Sequence, residues 1–110
     1  MTFYIGNSIK EIDEQEINVE FSDELIDFVY KVSKQESLDM SKLYEIDPYA
    51  DVVISENDLH YIIKICNYIL DESLLRTYED PDEGKRMLKD LIEIAKKAQS
   101  KGLMLVSKGD

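Results

Sequence analysis

Ser55-Glu56-Asn57-Asp58-Leu59-His60-Tyr61-Ile62-Ile63-Lys64-Ile65-Cys66-Asn67-Tyr68-Ile69-Leu70-Asp71-Glu72-Ser73 is the segment from which the rest of this chain can be read. Ser55 and Asp58 form a variant of the capping box, with Asp in place of the usual Glu or Gln. Ile54 and Leu59 stand at the spacing of a hydrophobic staple. Leu59, Ile62, Ile63, Cys66, Ile69, Leu70 and Leu74 then recur at helical spacing as one stripe. Tyr61, Ile65 and Tyr68 add a second apolar strip beside it, while Glu56, His60, Lys64, Asn67 and Asp71 fall on the opposite, polar side. So wide an apolar surface suits a central helix, predicted over about Glu56 to Ser73.

Two further helices flank it. Ser22 is a good N-cap, Asp23 and Glu24 complement the dipole of a helix running to Ser33, and Phe21 with Ile26 makes another staple. Leu25, Ile26, Phe28, Val29 and Val32 supply its apolar face. A third helix opens at Asp80-Pro81-Asp82-Glu83, where Asp80 caps, Pro81 suits the first turn and Glu83 completes a box. Its core residues are Leu88, Leu91, Ile92, Ala95 and Ala98, and Gly102 is placed to end it. Ile17-Asn18-Val19-Glu20-Phe21 alternates with period two, as a half-buried strand should. Phe3-Tyr4-Ile5 and Leu103-Met104-Leu105-Val106 are short apolar runs suited to strands. The expected architecture is α+β, with three main helices packed against a small antiparallel sheet in one domain spanning residues 1–110.

Composition sets outer limits. The 110 residues are 44% apolar and 34% charged, the profile of a folded chain able to bury a core without disulfides or metal. A single cysteine, Cys66, cannot form an internal disulfide. No stretch approaches the ~18 apolar residues of a membrane span. The first residues, Met1-Thr2-Phe3-Tyr4-Ile5-Gly6-Asn7, lack the basic and apolar regions of a signal peptide. A cytoplasmic protein without membrane association is expected.

The net charge of −11 is unevenly spread: 21 acidic and 6 basic side chains precede Lys85, against 3 and 7 from there on. Such a field repels phosphate backbones and attracts basic proteins, so nucleic acid is not an expected partner.

Motifs for chemistry are sparse. His60 lies on a polar helix face with no nucleophile near it in sequence, and Cys66 lies mid-stripe, where a packed thiol is expected rather than a nucleophile. One His and one Cys on different helix faces do not make a zinc site. Asp80-Pro81-Asp82-Glu83-Gly84 resembles a calcium loop, but the glycine comes a residue early and position twelve is Leu91. The four glycines form neither a dinucleotide fingerprint nor a phosphate loop. No cofactor, metal or enzymatic activity is expected. A carboxylate hydrolase built from residues distant in sequence is the enzymatic alternative, because pairs such as Asp47 with Asp51 and Asp80 with Glu83 are close together.

Helix caps account for Asp58, Asp80 and Glu83, and Asp47 before Pro48 starts a turn. They do not account for two tyrosines, Tyr44 and Tyr49, among the acids Glu45, Asp47 and Asp51. Tyrosine joins a large contact area to a polar tip, which suits protein interfaces.

From Tyr44 onward a pattern can be traced. It comprises Asp47-Pro48-Tyr49-x-Asp51, a short hydrophobic link, a capped helix, a second amphipathic helix, Gly102-Leu103-x-Leu105 and Gly109-Asp110. On these residues the chain resembles the small bacterial immunity proteins of polymorphic-toxin systems. The likeness covers residues 44–110, and residues 1–43 add nothing to it. It implies an antidote that binds one cognate toxin domain and blocks its active site; toxin nucleases are often basic, which would match the acidic surface. The expected interface is Tyr44, Asp47, Tyr49, Asp51, Glu79, Asp80, Asp82 and Glu83. A small regulatory or scaffold protein is the other alternative, forming a homodimer or larger homo-oligomer through the second apolar strip.

Overall fold

The computed structural model describes residues 1–8, 10, 12 and 17–109. The predicted α+β architecture is the observed one: three substantial helices cover a four-stranded antiparallel sheet. In chain order the elements are β1 (Thr2–Ile5), β2 (Asn18–Glu20), α1 (Asp23–Ser33), a single turn α2 (Ser41–Tyr44), β3 (Val52–Ile54), α3 (Glu56–Asp71), a 3₁₀ turn (Leu74–Thr77), α4 (Pro81–Ser100) and β4 (Leu105–Lys108). The strands lie in the order β2-β1-β4-β3. Phe3 faces Val19 on one side and Ser107 on the other, while Ile54 faces Leu105. Because side chains alternate along a strand, these residues share one face, and all five are buried against the helices.

Each of the three long helices starts where its cap predicts. Ser22 Oγ accepts from Leu25 N at 3.2 Å, Ser55 Oγ from Asp58 N at 3.3 Å and Asp80 Oδ1 from Glu83 N at 3.2 Å. At the end of α4, Gly102 takes φ +67°. Its N–H and that of Leu103 donate to the carbonyls of Gln99 and Ala98, which is the Schellman arrangement.

Several sequence expectations need correction. The strand expected over Leu103–Val106 runs Leu105–Lys108 instead, because the Leu103 N–H closes the end of α4. The central helix stops at Asp71, two residues early. Ser73 takes a left-handed conformation (φ 54°) and Leu74 starts the 3₁₀ turn instead of continuing the stripe. Within α3 the buried residues are Leu59, Ile62, Ile65, Cys66 and Ile69, so Ile65 belongs to the core while Ile63 and Leu70 are only half-buried. With Ile65 buried and Tyr61 exposed, the second strip is not a continuous outward surface. Finally, Val52–Ile54, read as a hydrophobic link, is an edge strand paired to β4.

One continuous core runs through the molecule. It joins Phe3, Phe21 and Leu25 to Ile62, Ile65 and Ile69 of α3 and to Leu88, Leu91 and Ala95 of α4. Met40, Leu43 and Ile46 around α2 are also in it, which pins the loop that follows. Among the described residues no helix is long and apolar enough to cross a membrane.

Candidate functional site

Two helices begin beside one another at one end of the molecule, and their first turns open a groove of about 770 Å³. Its walls carry Glu20, Asp23 and Glu24 from the β2–α1 junction, and Glu79, Asp80 and Glu83 from the start of α4. Acids collect here partly because a helix N-terminus has unpaired N–H groups and a positive dipole end. Apolar parts of Phe21, Tyr78 and Met87 also line it. Arg86 partly offsets the charge: its Nε donates to Glu83 Oε2 at 3.0 Å, a second contact completes the fork, and Nη1 reaches Asp90 Oδ2 at 3.1 Å. The hydrogen bonds from Arg86 hold the Glu83 carboxyl below its ordinary range, and Glu83 in turn raises Arg86.

On the other side of α1 lies a second groove of about 500 Å³. Asp23, Ile26, Asp27 and Tyr30 line it from α1, Tyr44 from the last position of α2, and Glu45, Pro48 and Tyr49 from the loop that follows. The loop is held from within and from the far end of the chain. Asp47 Oδ1 accepts from Tyr49 N at 2.9 Å, closing an Asx turn around Pro48. Asp51 Oδ1 accepts from Gly109 N at 3.1 Å. Gly109 sits so close that a Cβ there would lie 2.5 Å from Ala50 N and from the Tyr49 carbonyl carbon. Two pieces of the sequence pattern, the Asp-Pro-Tyr-x-Asp loop and Gly109, are thus in direct contact. Asp110, the other half of the final pair, lies outside the described residues.

Tyr30 and Tyr49 are exposed, whereas Tyr44 is half-buried against the core. Tyr30 and Tyr44 pack edge to face with ring centroids 5.2 Å apart, and Tyr49 is 75% exposed. Lys34 Nζ lies 4.6 Å from the centre of the Tyr30 ring, and Lys31 pairs with Asp27 at 2.8 Å.

The predicted interface residues therefore divide. Tyr44 and Tyr49 line the second groove, whereas Glu79, Asp80 and Glu83 line the first. Asp82 is exposed on the first turn of α4 and lines neither groove. Asp47 and Asp51 offer an oxygen each to backbone N–H groups. Asp23 lines both grooves, so the two segments flank a single stretch of surface centred on the first turn of α1. Asp23 and Glu24 stand out in the sequence only as dipole partners of α1, and Asp27 and Tyr30 carry no motif there. The signal lies in spacing alone, since positions 23, 27 and 30 are spaced i, i+4, i+7 and share one helix face.

A third cleft, of about 430 Å³, lies along the polar side of α3 between Leu38, His60, Ile63 and Tyr68. Tyr68 Oη donates to Glu36 Oε1 at 2.8 Å, which raises the phenol above its ordinary range. His60 lies edge-on to Tyr61 with centroids 6.1 Å apart. Cys66 is fully buried, and burial pushes its thiol up to about 12. Among the described residues no three His, Cys, Asp or Glu side chains are grouped so as to hold a metal ion. Comparison of the chain with protein-family models, with curated proteins and with solved structures finds no match.

Proposed function

We propose that this protein works by stoichiometric binding to a basic protein, as an immunity protein that neutralises a cognate bacterial toxin domain in the cytoplasm. The observation that carries the reading is the continuity of the acidic face: two grooves, lined by Glu20, Asp23, Glu24, Asp27, Glu45, Glu79, Asp80 and Glu83, share Asp23 between them. A face of this sign accelerates encounter with a cationic cleft and repels nucleic-acid competitors. Rigid helix starts and a braced loop support it, so little ordering cost attends binding.

Co-expression with the product of the adjacent gene tests the antidote role. The neighbour is expected to arrest growth alone and to be harmless when this chain is present. A neighbour that is harmless alone, or lethal despite folded antidote, overturns the reading. For the purified pair, raising salt should slow association by roughly tenfold or more. Reversing Asp23, Glu24, Glu45 and Asp82 together, all exposed, should remove most of that salt dependence.

A further inference from the structure

We infer that the groove between α1 and the loop after α2 is an arginine pocket, taking one guanidinium side chain from the protein partner between the rings of Tyr30, Tyr44 and Tyr49 and the carboxylates of Asp23, Asp27 and Glu45. This deepens the reading above and rests on it for the nature of the partner.

Three observations lead there. Tyrosines from separate elements converge on one cleft, with Tyr30 and Tyr44 edge to face at 5.2 Å and Tyr49 the most exposed large hydrophobic side chain among the described residues, at 75%. Three carboxylates line the same cleft, so it combines π-faces with negative charge, a pairing that favours a cation. One of the three rings already holds a cation from within the chain, Lys34 Nζ at 4.6 Å from the centre of Tyr30, although Lys34 does not line the groove. The volume, about 500 Å³, accommodates a whole side chain rather than a small ion.

Arginine fits better than lysine. Its planar guanidinium stacks on aromatic faces while its N–H fork meets carboxylates side-on, whereas an ammonium acts as a hydrated point charge. Lys31 competes for Asp27, but both partners of that ion pair are more than half exposed, so it exchanges readily. The neighbouring acidic groove differs in kind. It is already served by an internal guanidinium, Arg86 on Glu83, and Tyr78 is the one tyrosine among its lining residues.

The test uses the intact chain with carbon-13-labelled tyrosine rings, titrated at low salt with acetyl-Gly-Arg-Gly-amide. Parallel titrations use the lysine peptide and the citrulline peptide, the neutral isostere of arginine. Saturable shifts are expected at the rings of Tyr30, Tyr44 and Tyr49 with arginine, weaker ones with lysine and none with citrulline. Tyr78 reports the other groove and should stay still. Tyr49→Leu, at an exposed position that the core does not use, should weaken arginine binding about threefold or more. Equal shifts with citrulline, equal binding of lysine, a Tyr78 response as large as the others, or unchanged affinity in Tyr49→Leu would each overturn the pocket. No toxin is needed for this titration. Its failure leaves the co-expression result untouched, and failure of co-expression leaves the titration untouched.

Discussion

The two acidic segments beside α1 spend their carboxylates on different tasks. In residues 79–83 the acids start a helix: Asp80 caps it, while Asp82 and Glu83 sit in its first turn. In residues 44–51 they hold a loop, with Asp47 accepting from the Tyr49 N–H and Asp51 from the Gly109 N–H. The first segment would keep its helix start if another capping residue replaced Asp80, so its charge is separable from its shape. In the second segment the acids create the shape, and what the loop displays is Tyr49, beside Tyr44 at the end of α2. Counting carboxylates treats the segments as alike, whereas tracing their hydrogen bonds separates them.

The contrast can be tested in order of effect. Gly109→Ala should be the most damaging change, because its Cβ would meet backbone atoms of residues 49 and 50 at 2.5 Å. Overpacking of that sort costs about 1–3 kcal/mol in urea unfolding, and the Tyr49 ring signals should move with it. A loss under about 0.5 kcal/mol would mean that the chain end slides aside and does not brace the loop.

Next comes Asp80→Ala, which removes the cap of the longest helix and should cost about 0.5–2 kcal/mol, with Asp80→Asn close to neutral. The loop tyrosines should not notice either change, and a coupled shift there would erase the distinction between the segments. Asp51→Ala should cost about 0.5–1.5 kcal/mol, and Asp51→Asn less, since the amide oxygen can still accept from Gly109.

The smallest effect belongs to Glu83. Its folded pKa is lowered by Arg86, so its contribution is present above the unfolded carboxylate value and is lost as pH falls through the folded one. Arg86→Gln should return the Glu83 carbon signal towards its ordinary titration, with little change in Tm because the pair is exposed.

How far the sequence carries depends on local chemistry. Ser22, Ser55, Asp80 and Gly102 are local signals, and they place three helix starts and one helix end correctly. Ile63 and Ile65 show the limit, because both lie at the margins of an apolar arc. Which margin is covered depends on the neighbouring elements, and periodicity carries no such information. Val52–Ile54 is too short to alternate visibly, so its pairing with β4, more than fifty residues away, left no local trace. The site was half legible for the same reason. Tyrosines among acids in one loop could be read directly, but Asp27 and Tyr30 join them only because α1 packs alongside.

The strand order carries a consequence for synthesis. Among the described residues β4 is the last strand to be made, yet it lies between β1 and β3 and joins them. Until residues 105–108 leave the ribosome, β1 and β3 each present an unpaired edge to the cell. The contact that fixes Tyr49 also waits for Gly109. A ribosome-bound chain lacking only this strand could contain every residue of the acidic face and still not present it in working form. Closure of the sheet and bracing of the loop therefore depend on the same short segment, residues 105–109.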